Sequence, residues 1–188
     1  MFVFGHLGIG SGLVLLAKRD LPMTGIFAGT LAPDLLDKPI FYGLVRTHAL
    51  PSTVCAWLPG TRTVGHTLLA VALVALLAAL VRGRRRAWLQ GAALGMTSHD
   101  LLDIASDAVA ALHGGFAFTT ATSGAWRAAF FPFAGTPFCT SLNVDLLNHF
   151  LASLRVHLVS ELLGVALLGA AVLLSRRPGV LRSGVTRG

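Results

Sequence analysis

Charge is scarce in this chain. Asp, Glu, Lys and Arg make up 12% of its 188 residues, where a soluble domain carries about 25%. So few charged groups cannot cover a surface that faces water on every side, so lipid is expected to cover much of the exterior. Acidic residues are scarcer still, 8 against 15 Lys and Arg, for a net charge of +7. Cysteine is nearly absent: Cys55 and Cys139 are the two, and they match no thiolate metal-binding spacing. The start of the chain has no basic group ahead of its apolar run, so it does not read as a secretory signal peptide. Its first segment is expected to stay as a membrane helix.

Apolar residues are plentiful, at 54%, and the basic residues follow the apolar runs. They fall at Lys18-Arg19, at Arg82 with Arg84-Arg85-Arg86, at Arg176-Arg177 and in the tail at Arg182 and Arg187. That is the distribution of cytoplasmic flanks of membrane helices, and no nucleic-acid partner is expected. Residues 68–81 are almost pure Leu, Ala and Val, and with 63–67 they reach the ~20 residues that cross a bilayer. Residues 158–174 form a second run. Residues 2–17 are short and glycine-rich, suited to close packing against a neighbour. Residues 21–45 contain Pro33 and read as a kinked or broken helix, and 87–105 begin apolar and end in His99-Asp100-Leu101-Leu102-Asp103. The expected fold is all-α, a polytopic membrane bundle of about five helices. A single domain covers 1–177, with extracytoplasmic interfacial helices and loops over 107–156, where Trp126, Phe130, Phe131 and Phe133 would sit at headgroup level. A basic cytoplasmic tail follows at 178–188. The basic flanks put the N-terminus outside and the C-terminus inside.

Ionisable groups inside membrane spans are costly and mark function by default. Counted from the cytoplasmic end of each expected helix at 1.5 Å per residue, His6, Asp34, Asp37, His66, His99, Asp103, His157 and Glu161 all fall roughly 18–28 Å up. Five helices thus place four His and four carboxylates in one layer. His99-x-x-x-Asp103 and His157-x-x-x-Glu161 each present an imidazole and a carboxylate on one helix face, a pairing that suits Zn²⁺ or a similar divalent ion. Each residue also has a plainer reading. His6 alone is more often a packed histidine, and Asp34 after Pro33 could cap a helix starting at Leu35. Asp37 reads as an ion-pair partner for Lys38 or Arg62. Asp100 and Asp107 read as water-facing or capping groups, His48 and His113 as solvated, and His149 as either a loop histidine or a further ligand.

The motifs Gly5-His6, Gly29-Thr-Leu-Ala-Pro33-Asp34-Leu-Leu-Asp37, Arg62-Thr-Val-Gly-His66-Thr67 and Gly95-Met-Thr-Ser-His99-Asp-Leu-Leu-Asp103 resemble, over about residues 1–135, those of the YdjM family. That resemblance implies a bacterial inner-membrane protein and a metal-dependent hydrolase. The family's His-Arg-Gly-x-Thr-His-Ser stands here as Thr61-Arg62-Thr63-Val64-Gly65-His66-Thr67, without the first His and without the Thr before the second. The order of ligand types is also similar to the all-helical zinc-dependent phospholipase C and single-strand nuclease superfamily. By that similarity the metal ligands would be His6, Asp34, His66, His99, Asp103, His149, His157 and Glu161, with Asp103 bridging two ions and Asp34 as general base.

Together these readings point to a membrane hydrolase with zinc in the outer leaflet. Its substrate would be a phosphoester or lipid-borne molecule, with membrane lipid as partner and Arg62 as phosphate holder. A His/Asp-lined transporter or proton-coupled carrier, and a structural protein whose polar layer joins helices, are the alternatives. A carrier should have ionisable groups along a path to both faces, whereas the inner halves of these spans have none. A Cys55–Cys139 disulfide would need Cα atoms within about 7 Å. The topology predicts that cysteines introduced at Arg85 and His113 label from opposite sides of the membrane, Arg85 from the cytoplasm. Labelling of both from one side would overturn the five-helix arrangement.

Overall fold

A computed structural model describes residues 3–17, 20–40, 43, 62, 64–114, 129–130 and 146–175, without the side chains of Asp107, His113, His149 and His157. Cys55, Cys139, His48, Trp126, Phe131, Phe133 and the basic tail lie outside the described residues. Among the described residues the regular elements are all helical, with no strand. The chain opens with α1 (Val3–Gly5), a π-helical turn (His6–Gly10) and α2 (Ser11–Ala17). After it come α3 (Met23–Ile40), a 3₁₀ turn (Val64–His66), α4 (Leu68–Leu80), α5 (Gly83–Gly114) and α6 (Leu146–Ser175).

Two elements differ from expectation for local reasons. The helix expected to be kinked or broken at Pro33 is not broken there but runs through both Pro33 and Pro39, so Asp34 is a mid-helix residue and not a cap. The apolar run over 63–81 is not one helix. Thr67 adopts an extended backbone (φ −105°, ψ 143°) and its hydroxyl accepts the Ala70 N–H, at 3.0 Å, while donating to the Val64 carbonyl at 2.8 Å. This N-cap starts α4 at Leu68 and leaves His66 in the separate turn before it. The 13 residues of α4 are about 20 Å long at 1.5 Å each. The 32 residues of α5 include Arg84, Arg85, Arg86, Asp100, Asp103 and Asp107. Among the described residues, no helix is long and apolar enough to cross a membrane. Gly83, at φ +65°, makes the sharp turn between α4 and α5. A side chain there would meet no neighbour within 4 Å, so only the backbone conformation calls for glycine.

Helix α3 packs along α5, which also carries α4, while α1 and the π turn pack on α6. Glycines four residues apart set the first contact. A Cβ on Gly25 or Gly29 would overlap the backbone of Trp88 or Ala92. In return, one on Gly91 would stand 3.2 Å from the Ile26 amide nitrogen, and one on Gly95 would stand 2.7 Å from that of Thr30. Small residues at this spacing let two helix backbones approach closely. A similar crossing joins the start of the chain to α6: a Cβ on Gly8 would overlap the backbone of Gly164, and one on Gly164 would overlap that of Phe4 and Gly5.

Polar groups share the interior with apolar residues such as Ile26 and Met96. Buried positions include His6, Thr30, Asp37, His66, His99, Asp100 and Asp103, while Leu69, Leu73, Leu76, Leu80, Leu158, Leu162 and Leu173 are exposed. The glycine contacts predict that Gly95→Val destabilises the protein by about 1–3 kcal/mol through overpacking. Gly12, with open space where a Cβ would go, should accept Ala without loss. Thermal denaturation in detergent compares the two; equal stability would show that α3 and α5 are not in backbone contact.

Candidate metal centre

The closeness of α3 to α5 brings a backbone carbonyl to a ring nitrogen. His99 Nδ1 lies 2.7 Å from the Thr30 carbonyl; a carbonyl only accepts, so Nδ1 carries the proton. His66 Nδ1 lies 2.7 Å from Asp37 Oδ2, and a carboxylate again only accepts. Asp37 also takes the Gly65 N–H at 2.9 Å and the His66 N–H at 3.3 Å. Gly65 is needed at this point, because a Cβ would come 2.9 Å from the Pro33 backbone. The two rings therefore turn their Nε2 atoms toward each other, 3.2 Å apart, a contact that needs a proton or another cation between the two nitrogens.

Carboxylates surround this pair. Asp34 Oδ1 stands 3.8 Å from His66 Nε2 and 3.9 Å from His99 Nε2. Asp103 Oδ2 stands 3.6 Å and 3.9 Å from the same two atoms. Ligands held about 2.0–2.2 Å from a tetrahedral ion are separated by about 3.3–3.6 Å, so these donors fit a zinc-sized ion after a shift of a few tenths of an ångström. Two sets of three donors arise, Asp34–His66–His99 and His6–His99–Asp103, each within 4.8 Å.

His6 stacks on His99 with ring centroids 3.9 Å apart, and its Nε2 lies 3.1 Å from Asp103 Oδ1. In this geometry His6 donates to Asp103 and orients it. Arg62 Nε donates to Asp103 Oδ2 at 2.7 Å, and Lys38 Nζ donates to Asp34 Oδ2 at 2.5 Å. The imidazoles are only 1–3% exposed, so water is largely excluded from the nitrogen pair.

The structure thus brings together His6, Asp34, Arg62, His66, His99 and Asp103. Glu161 is elsewhere: its two oxygens accept the Phe4 and Gly5 amides, both at 2.9 Å, and it belongs to neither set of donors. The side chains of His149 and His157 lie outside the description. Lys38, one of the two ion-pair partners expected for Asp37, pairs with Asp34 instead, and Asp37 supports His66. The signal for this was present, since Asp34, Asp37 and Lys38 lie within two turns on one helix and i, i+4 pairs face each other. Asp100, expected to face water or cap a helix, is buried, with neither carboxylate oxygen hydrogen-bonded among the described residues. Comparison of the chain with protein-family models, curated proteins and solved structures gives no match.

Groups that orient a ligating imidazole affect affinity through it. Asp37→Ala is therefore expected to weaken divalent-metal binding by roughly 10–100-fold, as read by competition with a fluorescent chelator. Unchanged affinity would show that His66 is not a ligand.

Proposed function

We propose that the chain is a membrane-embedded, metal-dependent hydrolase centred on Asp34, His66, His99 and Asp103, with Zn²⁺ as the ion. The observation that carries this reading is the pair of Nε2 atoms at 3.2 Å, each fixed in its tautomer from the far side of its ring and flanked by two carboxylates. A bound divalent ion would supply a water of lowered pKa and a Lewis acid for a phosphoryl oxygen.

The residues divide the remaining work. Asp34 has 16% of its side chain exposed and Asp103 has 7%, so Asp34 is the carboxylate a water can reach, and it acts as general base. His6 and Arg62 hold Asp103 from its two oxygens. The buried polar layer and the exposed leucines of α4 and α6 support a lipid-facing exterior, with membrane lipid as partner. The likeness to the YdjM family supports placing the chain in the bacterial inner membrane, N-terminus out, acting on a phosphoester or lipid-borne substrate. In this reading Glu161 is a structural clamp.

Elemental analysis of purified protein is expected to find zinc or another divalent metal bound in stoichiometric amount, and His99→Ala should abolish its retention while circular dichroism stays helical. Removing the metal with chelator should abolish phosphoester hydrolysis, and restoring it should recover the activity. A chain that holds no metal after incubation with zinc would overturn the reading. Metal retention without hydrolysis would favour the carrier.

A further inference from the structure

The two carboxylates of the centre are each backed by one cation: Lys38 on Asp34 Oδ2, and Arg62 on Asp103 Oδ2. These two groups are more exposed than the residues they back, with 41% and 25% of their side chains accessible, against 16% for Asp34 and 7% for Asp103. The open side of the centre is therefore a positive edge. Nothing in the packing of α3 calls for a lysine there, since Lys38 lies in the last turn of the helix and reaches outward to Asp34 from four residues on.

The charge balance gives this edge a use. Without an ion, Lys38 and Arg62 neutralise Asp34 and Asp103. With a divalent ion among the donors, its two charges offset the same two carboxylates. Asp37 keeps its own charge, held by N–H groups of Gly65 and His66. Lys38, with 41% of its side chain accessible, then stands at the exposed side with charge to be met by an incoming anion. An Arg guanidinium and a Lys ammonium both suit a phosphoryl group, the one by planar N–H pairs and the other as a point charge.

We propose that Lys38 is a substrate-recognising residue that, together with Arg62, receives the anionic oxygens of a phosphoryl group beside the metal. This rests on the metal-centre reading above. In the metal-free protein the Lys38–Asp34 pair holds the ammonium in place, and with metal and substrate present the ammonium transfers its contact to a phosphoryl oxygen. The source of that group, a free phosphate ester or a lipid headgroup, is the same chemistry at this edge.

The test uses the full chain in detergent, zinc-loaded and freed of excess zinc, titrated calorimetrically with inorganic phosphate and, separately, with phosphatidic acid in mixed micelles. The wild type is expected to bind at least one of them. Lys38→Gln should weaken that binding by about 10-fold or more, the size of a lost charge-assisted hydrogen bond, and Lys38→Arg should restore most of it. Zinc content and melting temperature should be the same in all three. Tighter binding of phosphatidic acid would identify a lipid headgroup, and tighter binding of phosphate a free ester. The proposal fails if neither ligand binds zinc-loaded wild type, or if Lys38→Gln binds as well as wild type. It also fails if Lys38→Gln loses zinc in step with phosphate, because Lys38 would then only support Asp34. A wild type that takes up no zinc overturns the metal centre itself, a result distinct from zinc uptake with no effect at Lys38.

Discussion

The backbone contact between α3 and α5 is the constraint from which the centre follows. Gly25 and Gly29 on one helix and Gly91 and Gly95 on the other leave no room for side chains between them, so the Thr30 carbonyl comes within hydrogen-bonding distance of His99. That bond fixes the tautomer of His99, and the tautomer decides which nitrogen the cluster receives. A larger residue in this seam would separate the helices, and the imidazole would lose the acceptor that defines its orientation. A packing rule thus sets the state of a titratable group.

Burying His6, Asp37, His66, His99 and Asp103 together is costly unless each finds a partner, because unpaired polar groups in a low-dielectric interior forfeit their hydration. Here the partners are shared. Asp37 serves the ring of His66 and two backbone amides at once, and Asp103 receives His6 on one oxygen and Arg62 on the other. The two Nε2 atoms meet at 3.2 Å with the carboxylates of Asp34 and Asp103 around them, so negative charge is concentrated where the rings converge. Asp100 is the exception, since it is buried beside this network without a hydrogen-bond partner among the described residues, and we have no physical account of it.

Much of the helical content and the core of the candidate site could be read from the sequence. The His99–Asp103 spacing put both groups on one face of a helix, and the depth estimate placed His6, Asp34 and His66 in the same layer. Other features were hidden because they depend on three dimensions. The Thr67 cap could not be weighed against a long apolar run, so α4 was expected to include His66. Glu161 and His157 share a helix face by spacing, but spacing does not say which helix that face meets; for Glu161 it meets the start of α1. The supporting role of Asp37 depends on a turn nearly thirty residues away folding back over Pro33. The paired Gly-x-x-x-Gly steps at Gly25–Gly29 and Gly91–Gly95 were in the sequence and are its most informative overlooked signal.

The clamp that Glu161 places on the amides of Phe4 and Gly5 joins the two ends of the described chain, 157 and 156 residues apart. This has a consequence for biogenesis. The turn bearing His6 leaves the ribosome well before the residue that secures it, which lies more than 150 residues later. At about 5–20 residues per second of synthesis, roughly 8–30 s separate the two, and for that time the opening segment lacks its anchor. The opening turn therefore gains this anchor only when α6 is made, so a product cut short before α6 would carry all the donors and still lack the clamp beside the first of them.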